Sequence, residues 1–264
     1  MHLSSHQGQS LEFSDLKGYA FGDDPRGIDW KVFARTDKLY VRRYLDETNL
    51  TAHLLLDASG SMAYPVGASK FQYAASMLAG LGYVLLRQGD EVGLVVAHER
   101  RSLVCPPRGV ASHLGELMSV LERAHPSHGT VIEDAVELVV DRSLKNGVVV
   151  VASDLLAPWE RTLDVLGGLV ARGFVVILLH VLSIDELTFP FQGSVVFRSL
   201  ETGRSDLMDT RGLKRPYLAA MDRFLNAVRT CSHDAGVFYH LVDMGQPAHI
   251  RVASLLTAME AGRL

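Results

Sequence analysis

From residue 51 onward, short apolar segments alternate with longer amphipathic ones. The apolar segments are rich in valine and leucine, which favours strands at 51–56, 91–97, 148–152, 175–182 and 237–242. Apolar residues at intervals of three and four predict helices at 70–87, 110–123, 131–142, 159–171, 213–231 and 249–259. Strands that are apolar throughout are typical of parallel sheets covered on both faces. The pattern predicts an α/β fold with a doubly wound, mostly parallel sheet.

Two segments depart from this alternation. Residues 1–50 are rich in charge and glycine, and we expect an N-terminal extension packed on the core domain 51–264, with an edge strand at 39–45 leading into that core. Residues 194–210 resemble a two-stranded insertion. Within the extension, Asp23-Asp24-Pro25-Arg26 predicts a turn, and its charges suit either a structural network with Asp29 and Arg35 or a contact with a partner.

Composition narrows the classes of function. The 264 residues suffice for one large domain, and the formal net charge of −4 argues against nucleic-acid binding. Two distant cysteines, Cys105 and Cys231, suggest neither a disulfide framework nor a zinc site. The N-terminus is polar, and every apolar run is too short to span a bilayer. We therefore expect a cytoplasmic protein without direct membrane insertion.

The candidate chemistry lies at the ends of two predicted strands. Asp57 ends the first core strand, and Ser59 and Ser61 follow at alternate positions around Gly60. Asp154 ends a later strand, and Thr130 lies where a helix is predicted to begin. Ligands of open parallel sheets bind beyond the carboxyl ends of the strands. Two carboxylates and three hydroxyls are hard oxygen ligands, so this group predicts a Mg²⁺ or Mn²⁺ site.

Simpler interpretations exist for single members of this group. Thr130 is also suited to cap its helix, with Glu133 completing a capping box. Asp154 is suited to cap the helix that follows Pro158. His180, inside an apolar strand, is more typical of a hydrogen-bonded core residue than of a catalytic one.

The same residues resemble the metal-ion-dependent adhesion site of von Willebrand factor A domains, which has the pattern Asp-x-Ser-x-Ser with a later threonine and aspartate. The stretches 18–30, 34–36, 41–43 and 56–62 further resemble the bacterial family called domain of unknown function fifty-eight. This resemblance implies a von Willebrand factor A-type fold and metal ligation at Asp57, Ser59, Ser61, Thr130 and Asp154. It also implies a MoxR-type AAA+ ATPase as partner, in a chaperone-like or assembly role.

Three functions remain open on the sequence. The first is a non-enzymatic, metal-dependent protein-interaction module whose partner supplies a carboxylate to the ion. The second is an enzyme: a serine hydrolase using Ser59 or Ser61 with His180 and Asp154, or a metal-dependent phosphatase using Asp57. The third is a scaffold with a vestigial metal loop. The chain lacks both a Gly-x-Ser-x-Gly elbow and a P-loop.

Overall fold

The computed structural model describes residues 12–20, 28–45, 50–98, 101–127, 132–142, 147–156, 158–200 and 203–260. The chain divides into two compact units, Met1–Asn49 and Leu50–Leu264. None of the helices within the described ranges is both long and apolar enough to cross a membrane.

The first unit contains β1 (Glu12–Gly18), α1 (Trp30–Thr36) and β2 (Tyr40–Leu45). Asp29 caps α1 by accepting hydrogen bonds from the Lys31 and Val32 amides. The strand expected at 39–45 exists, but it pairs with β1 in a separate antiparallel sheet rather than extending the core sheet. Residues 21–27, with the Asp-Asp-Pro-Arg segment, lie outside the described residues, and the packing of the extension on the core stays a prediction.

The second unit is built on a six-stranded sheet. The strands of this unit are β3 (Thr51–Asp57), β4 (Glu91–Ala97), β5 (Leu103–Arg108), β6 (Val148–Ser153), β7 (Val175–Leu182), β8 (Ser194–Arg198), β9 (Ser205–Asp209) and β10 (Phe238–Asp243), and all but β8 and β9 belong to this sheet. The sheet order is β10-β7-β6-β3-β4-β5, and every pairing is parallel except that of β5 with β4. The predicted doubly wound, mostly parallel sheet is thus confirmed.

Helices cover both faces of this sheet. They are α2 (Lys70–Gln88), α3 (His113–Arg123), α4 (Ile132–Arg142), α5 (Trp159–Ala171), α6 (Ile184–Thr188), α7 (Lys214–Asp234) and α8 (Ala248–Glu260). Leu54 and Leu56 of β3 pack into a core layer shared with α2, α3 and α8, whereas Leu55 packs with α4, α5 and α7. Successive strand residues face opposite layers, which explains why the central strands are apolar throughout.

Two further strands form the expected insertion. β8 and β9 pair as an antiparallel hairpin outside the main sheet, which confirms the two-stranded segment predicted at 194–210.

Strand β5 was not predicted, because it contains Pro106 and Pro107. Proline lacks the backbone N–H that a sheet ladder requires, so it argues against a central strand. β5 lies at the edge of the sheet, where proline is tolerated, and Pro107 packs so closely on Gly93 of β4 that a Cβ there would lie 2.9 Å from the Pro107 ring.

Candidate metal site

Two neighbouring central strands bring the predicted aspartates to one edge of the sheet. β3 ends at Asp57, and Asp154 directly follows the last residue of β6. These strands run parallel with Leu56 opposite Ala152, so both emerge at the same carboxyl edge. The aspartates are 4% and 1% exposed. The topology therefore places two buried carboxylates side by side.

The loop after β3 folds back on its own aspartate. Oδ1 of Asp57 accepts a hydrogen bond from the Ser59 amide at 2.8 Å, and Oδ2 accepts one from the Ser153 hydroxyl at 2.6 Å. The hydroxyls of Ser59 and Ser61 lie 3.1 Å apart. Met62, in the 3₁₀ turn Gly60–Ala63, is fully buried and anchors the loop to the core. Both Asp57 oxygens are thus engaged, whereas two neighbouring hydroxyl oxygens converge beside them.

Burial raises the pKa of Asp57 from its ordinary value of 3.8 to about 6. Loss of solvation is the largest cause, and the Asp154 charge adds to it. Hydrogen bonds from Ser153 and Ser59 act in the opposite direction because they stabilise the ionised form. Without a bound cation, Asp57 therefore keeps its proton to a higher pH than an ordinary aspartate does.

This raised pKa predicts a pH-dependent stability in the metal-free chain. The folded state binds the Asp57 proton more tightly than the unfolded state does. This proton therefore adds to the free energy of unfolding in full below about pH 4, and the added stability is lost as the pH rises through about 6. The loss amounts to about 3 kcal/mol. His180, whose pKa is lowered to about 4, acts in the opposite direction over the same range, so the test is the difference between two chains. In EDTA, urea unfolding should show that the free energy of unfolding of wild type falls relative to that of Asp57→Asn as the pH rises through this range. The exposed control Asp222→Asn should behave as wild type, and an equal fall in Asp57→Asn would contradict the assignment.

A buried lysine completes the charge pattern of the site. Lys70 is fully buried, and its Nζ lies 2.8 Å from Asp154 Oδ2 and 2.5 Å from Glu186 Oε1. Lys70 is the first residue of α2 and lies between Ser69 and Gln72, which form the capping box of this helix. A positive charge is unfavourable at a helix N-terminus and costly to bury. The ammonium is stabilised there because two carboxylates receive it.

The second carboxylate belongs to the short helix α6. Glu186 Oε2 accepts a hydrogen bond from the Ser183 amide at 2.7 Å, completing the capping box of α6. The Tyr64 hydroxyl donates to Asp185 Oδ2 at 2.8 Å. Helix α6 is therefore tied to the candidate site by one ion pair and one hydrogen bond.

The donor set fits a divalent cation on electrostatic grounds. With all groups ionised, Asp57, Asp154 and Glu186 carry three negative charges against the single positive charge of Lys70. An excess of two negative charges in this largely buried group is unfavourable, and either protons or a doubly charged ion would relieve it. Asp154 Oδ2 is close to the Lys70 charge, but among the described residues it receives no aligned hydrogen bond. That oxygen remains a candidate acceptor for a metal-bound water.

The remaining predicted residues stand as follows. Thr130 lies outside the described residues, so its place at the site stays a prediction. Asp154 does not cap α5: its Oδ1 accepts from the Leu156 amide at 3.2 Å, and α5 begins behind Pro158 without a side-chain cap. The intervening Leu155 has a left-handed backbone, with φ of 53°. Such strain is typical of functional turns.

His180 is a hydrogen-bonded core residue, as predicted. Its Nε2 donates to the backbone carbonyl of Asp154 at 3.0 Å, and its Nδ1 accepts from the Tyr239 hydroxyl at 3.0 Å. Burial lowers its pKa to about 4. A serine-hydrolase base would instead contact a serine hydroxyl and the aspartate carboxylate. Both ring nitrogens have other partners, so the hydrolase arrangement of Ser59 or Ser61 with His180 and Asp154 is wrong.

Sequence reasoning missed three residues of this site, namely Lys70, Ser153 and Glu186. One signal was present for Lys70: a lysine in the first turn of a helix opposes the helix dipole and therefore requires a reason. Ser153 directly precedes Asp154 at the end of an apolar strand. Glu186 gave only the signal of a capping box with Ser183.

Solved structures share this fold at low sequence identity. BatB from Bacteroides thetaiotaomicron matches with a TM-score of 0.52 at 18% identity, covering 81% of this chain and 100% of that one. An aerotolerance-related membrane protein from Bacteroides fragilis matches with a TM-score of 0.53 at 19% identity and the same coverages. At such identities the likeness shows the fold alone, and that fold is α/β of the von Willebrand factor A type, as predicted.

Comparison with known protein sequences identifies the family to which this chain belongs. The uncharacterized protein Rv1480 of Mycobacterium tuberculosis is 26% identical over 208 residues, which are 76% of this chain and 64% of that protein. The chain thus spans less than two thirds of the length of this curated relative. The model of the family described as "Protein of unknown function DUF58" matches residues 15–223. Because this match covers most of the chain, the protein belongs to the DUF58 family.

Proposed function

We propose that the protein is a metal-dependent protein-interaction module. One observation carries this proposal: the Ser59 and Ser61 hydroxyls, 3.1 Å apart, converge beside the buried carboxylates of Asp57 and Asp154 at the carboxyl edge of the sheet. In this proposal Ser59, Ser61 and Thr130 hold Mg²⁺ or Mn²⁺ through their hydroxyls. Such an ion supplies an open position for a carboxylate of the partner.

We infer a supporting part for the aspartates from their hydrogen bonds. Asp57 accepts hydrogen bonds from the Ser59 amide and the Ser153 hydroxyl, so in this proposal it fixes the loop that carries the hydroxyl ligands and supplies negative charge. Asp154 contributes its second charge from the adjacent strand. With neutral hydroxyls as its direct ligands, such an ion keeps an open position for a carboxylate, which supports a binding role rather than an enzymatic one.

The partner proposed is a MoxR-type AAA+ ATPase, with the pair acting in a chaperone-like or assembly role in the cytoplasm. Support for this partner comes from the family resemblance. Support for a protein ligand in general comes from the geometry of the site, which is suited to a carboxylate on a protein surface rather than to a nucleic acid.

Thermal unfolding tests the metal dependence. With a dissociation constant of about 1 mM, about 10 mM Mg²⁺ or Mn²⁺ stabilises the fold by roughly 1.4 kcal/mol relative to EDTA. For a domain of this size the unfolding midpoint should rise by roughly 3–6 °C. The rise should vanish in Asp57→Ala and persist in the exposed control Asp222→Ala. Loss of partner binding in folded Asp57→Ala would extend the result to recognition.

Lys70 supports a second candidate function. An internal ammonium already neutralises part of the carboxylate charge next to Asp154, which is the arrangement expected of a scaffold with a vestigial metal loop. No rise of the midpoint in wild type with either ion, together with partner binding unaffected by EDTA, would favour this scaffold. The phosphatase alternative predicts metal-dependent turnover of phosphate esters that is lost in Asp57→Ala.

A further inference from the structure

A second group of metal-ligating side chains lies on β5 and α3, away from the edge that carries Asp57. One ligand atom each from Cys105, His113 and Glu116 lies within 4.8 Å of the others. Cys105 is on the edge strand β5, His113 begins α3, and Glu116 follows one helical turn later. The spacing matches no common zinc motif, which is why the sequence suggested no such site.

The hydrogen bonding of His113 fixes which of its nitrogens is available. Nε2 lies 3.0 Å from the backbone carbonyl oxygen of Val92, which can only accept, so Nε2 carries the proton. In the neutral imidazole, Nδ1 is then the nitrogen whose lone pair can bind a metal ion. His113 is 0% exposed, and Nδ1 has no hydrogen-bond partner among the described residues. A histidine held by a backbone carbonyl in this way is the arrangement typical of metal-binding histidines.

The carboxylate of Glu116 faces Nδ1 of His113. Its Oε2 lies 3.2 Å from Nδ1, while its Oε1 accepts a hydrogen bond from Arg108 Nη1 at 2.9 Å. At this distance either a proton or a metal ion can lie between the nitrogen and the carboxylate oxygen. A tetrahedral ion bound at about 2.0–2.1 Å by both would separate them by roughly 3.3 Å. The observed separation therefore suits a shared metal ion, with Arg108 orienting the carboxylate.

The third ligand and an open position complete the site. Cys105 Sγ lies 3.7 Å from Nε2 of His113, the nitrogen that contacts Val92, and the ligand atoms of the three residues lie within 4.8 Å of one another. Cys105 and Glu116 line a groove of about 510 Å³ together with Ser112, Ser119 and Arg123. A metal ion there would keep a fourth position open to this groove. Sulfur, imidazole and carboxylate ligands together favour Zn²⁺ over Mg²⁺.

We propose that Cys105, His113 and Glu116 form a second metal site, specific for Zn²⁺ and similar transition-metal ions, with its fourth position open to the groove. The Cys105 thiol loses its proton to solvent as the sulfur–metal bond forms. The site is independent of the Mg²⁺ site proposed above, because the two sets share no ligand.

Cobalt(II) provides the test because its bond to a thiolate absorbs in the near ultraviolet. The full chain, reduced and in about 10 mM Mg²⁺, is titrated with Co²⁺ and then with Zn²⁺. We expect one Co²⁺ per chain, a thiolate band, and loss of that band as Zn²⁺ displaces the cobalt. Cys105→Ser should abolish the band, and the matched control Cys231→Ser should retain it. Glu116→Gln should weaken Co²⁺ binding by about tenfold or more.

Three outcomes would overturn the proposal: no thiolate band in wild type, an unchanged band in Cys105→Ser, or unchanged affinity in Glu116→Gln. Glu116 is half exposed, so its replacement should leave the fold intact, which circular dichroism verifies. Asp57→Ala should keep the band. Failure of the Mg²⁺ site and failure of the Zn²⁺ site are therefore distinguishable.

Discussion

Lys70→Met is expected to lower the free energy of unfolding by about 3–5 kcal/mol in EDTA, because it leaves Asp154 and Glu186 without their buried counter-ion. The unfolding midpoint should fall by roughly 6–20 °C. Methionine fills nearly the same volume as the lysine stem, so the loss reports the charge rather than a cavity. The measurement is urea or thermal unfolding of both chains at neutral pH.

The same variant should respond more strongly to Mg²⁺ than wild type does. Removing the ammonium leaves the carboxylates with a larger excess of negative charge, and a divalent cation then relieves more of it. Lys214→Met is the matched control, since Lys214 also begins a helix but is exposed. Its effect should stay within about 0.5 kcal/mol. A Lys70→Met chain as stable as wild type, or one insensitive to Mg²⁺, would show that Lys70 does not balance this site.

Gly147→Ala should destabilise the fold by about 3 kcal/mol or more. Gly147 lies just before β6, and a Cβ at this position would lie 2.1 Å from the backbone carbonyl oxygen of Thr51, at the start of β3. The clash involves backbone on both sides, so it is relieved only by separating the two central strands. Thermal unfolding should show a midpoint lower by roughly 6–12 °C or more.

Gly168→Ala is the control for this prediction. Gly168 is exposed in α5, and a Cβ there would meet nothing within 4 Å. Alanine is a better helix former than glycine, so this variant should gain up to about 1 kcal/mol. If both variants shifted stability in the same direction, the close approach of Gly147 to Thr51 would not be the cause.

The sheet was predictable because its central strands are buried on both faces. Segments such as Val148–Ser153 are apolar at nearly every position, and helical spacing between them predicts parallel crossovers. The edge strand β5 broke this rule. An edge strand that is only partly buried needs fewer apolar residues, so its apolar pattern is weak. Pro106 and Pro107 also argue against a strand, because proline cannot donate to a sheet ladder.

The candidate site was predictable only in part. Residues that end apolar strands, such as Asp57 and Asp154, can be assigned to the carboxyl edge without knowing the strand order. Lys70 and Glu186 meet only in the folded chain, and lysine is so rarely buried that its position gave no expectation of contact with Asp154. His113 likewise required the fold, since its contact with the carbonyl of Val92 on β4 decides which ring nitrogen faces Glu116.

The prolines of β5 have a consequence for how chains associate. Pro106 and Pro107 remove two amide donors from the last strand of the sheet, so a strand from another molecule cannot build a continuous ladder along it. Open sheet edges otherwise promote aggregation and the exchange of strands between copies. The prolines block such strand addition at the β5 edge of the sheet. A molecule that approaches β5 must therefore bind through side chains, among them those of the groove beside Cys105.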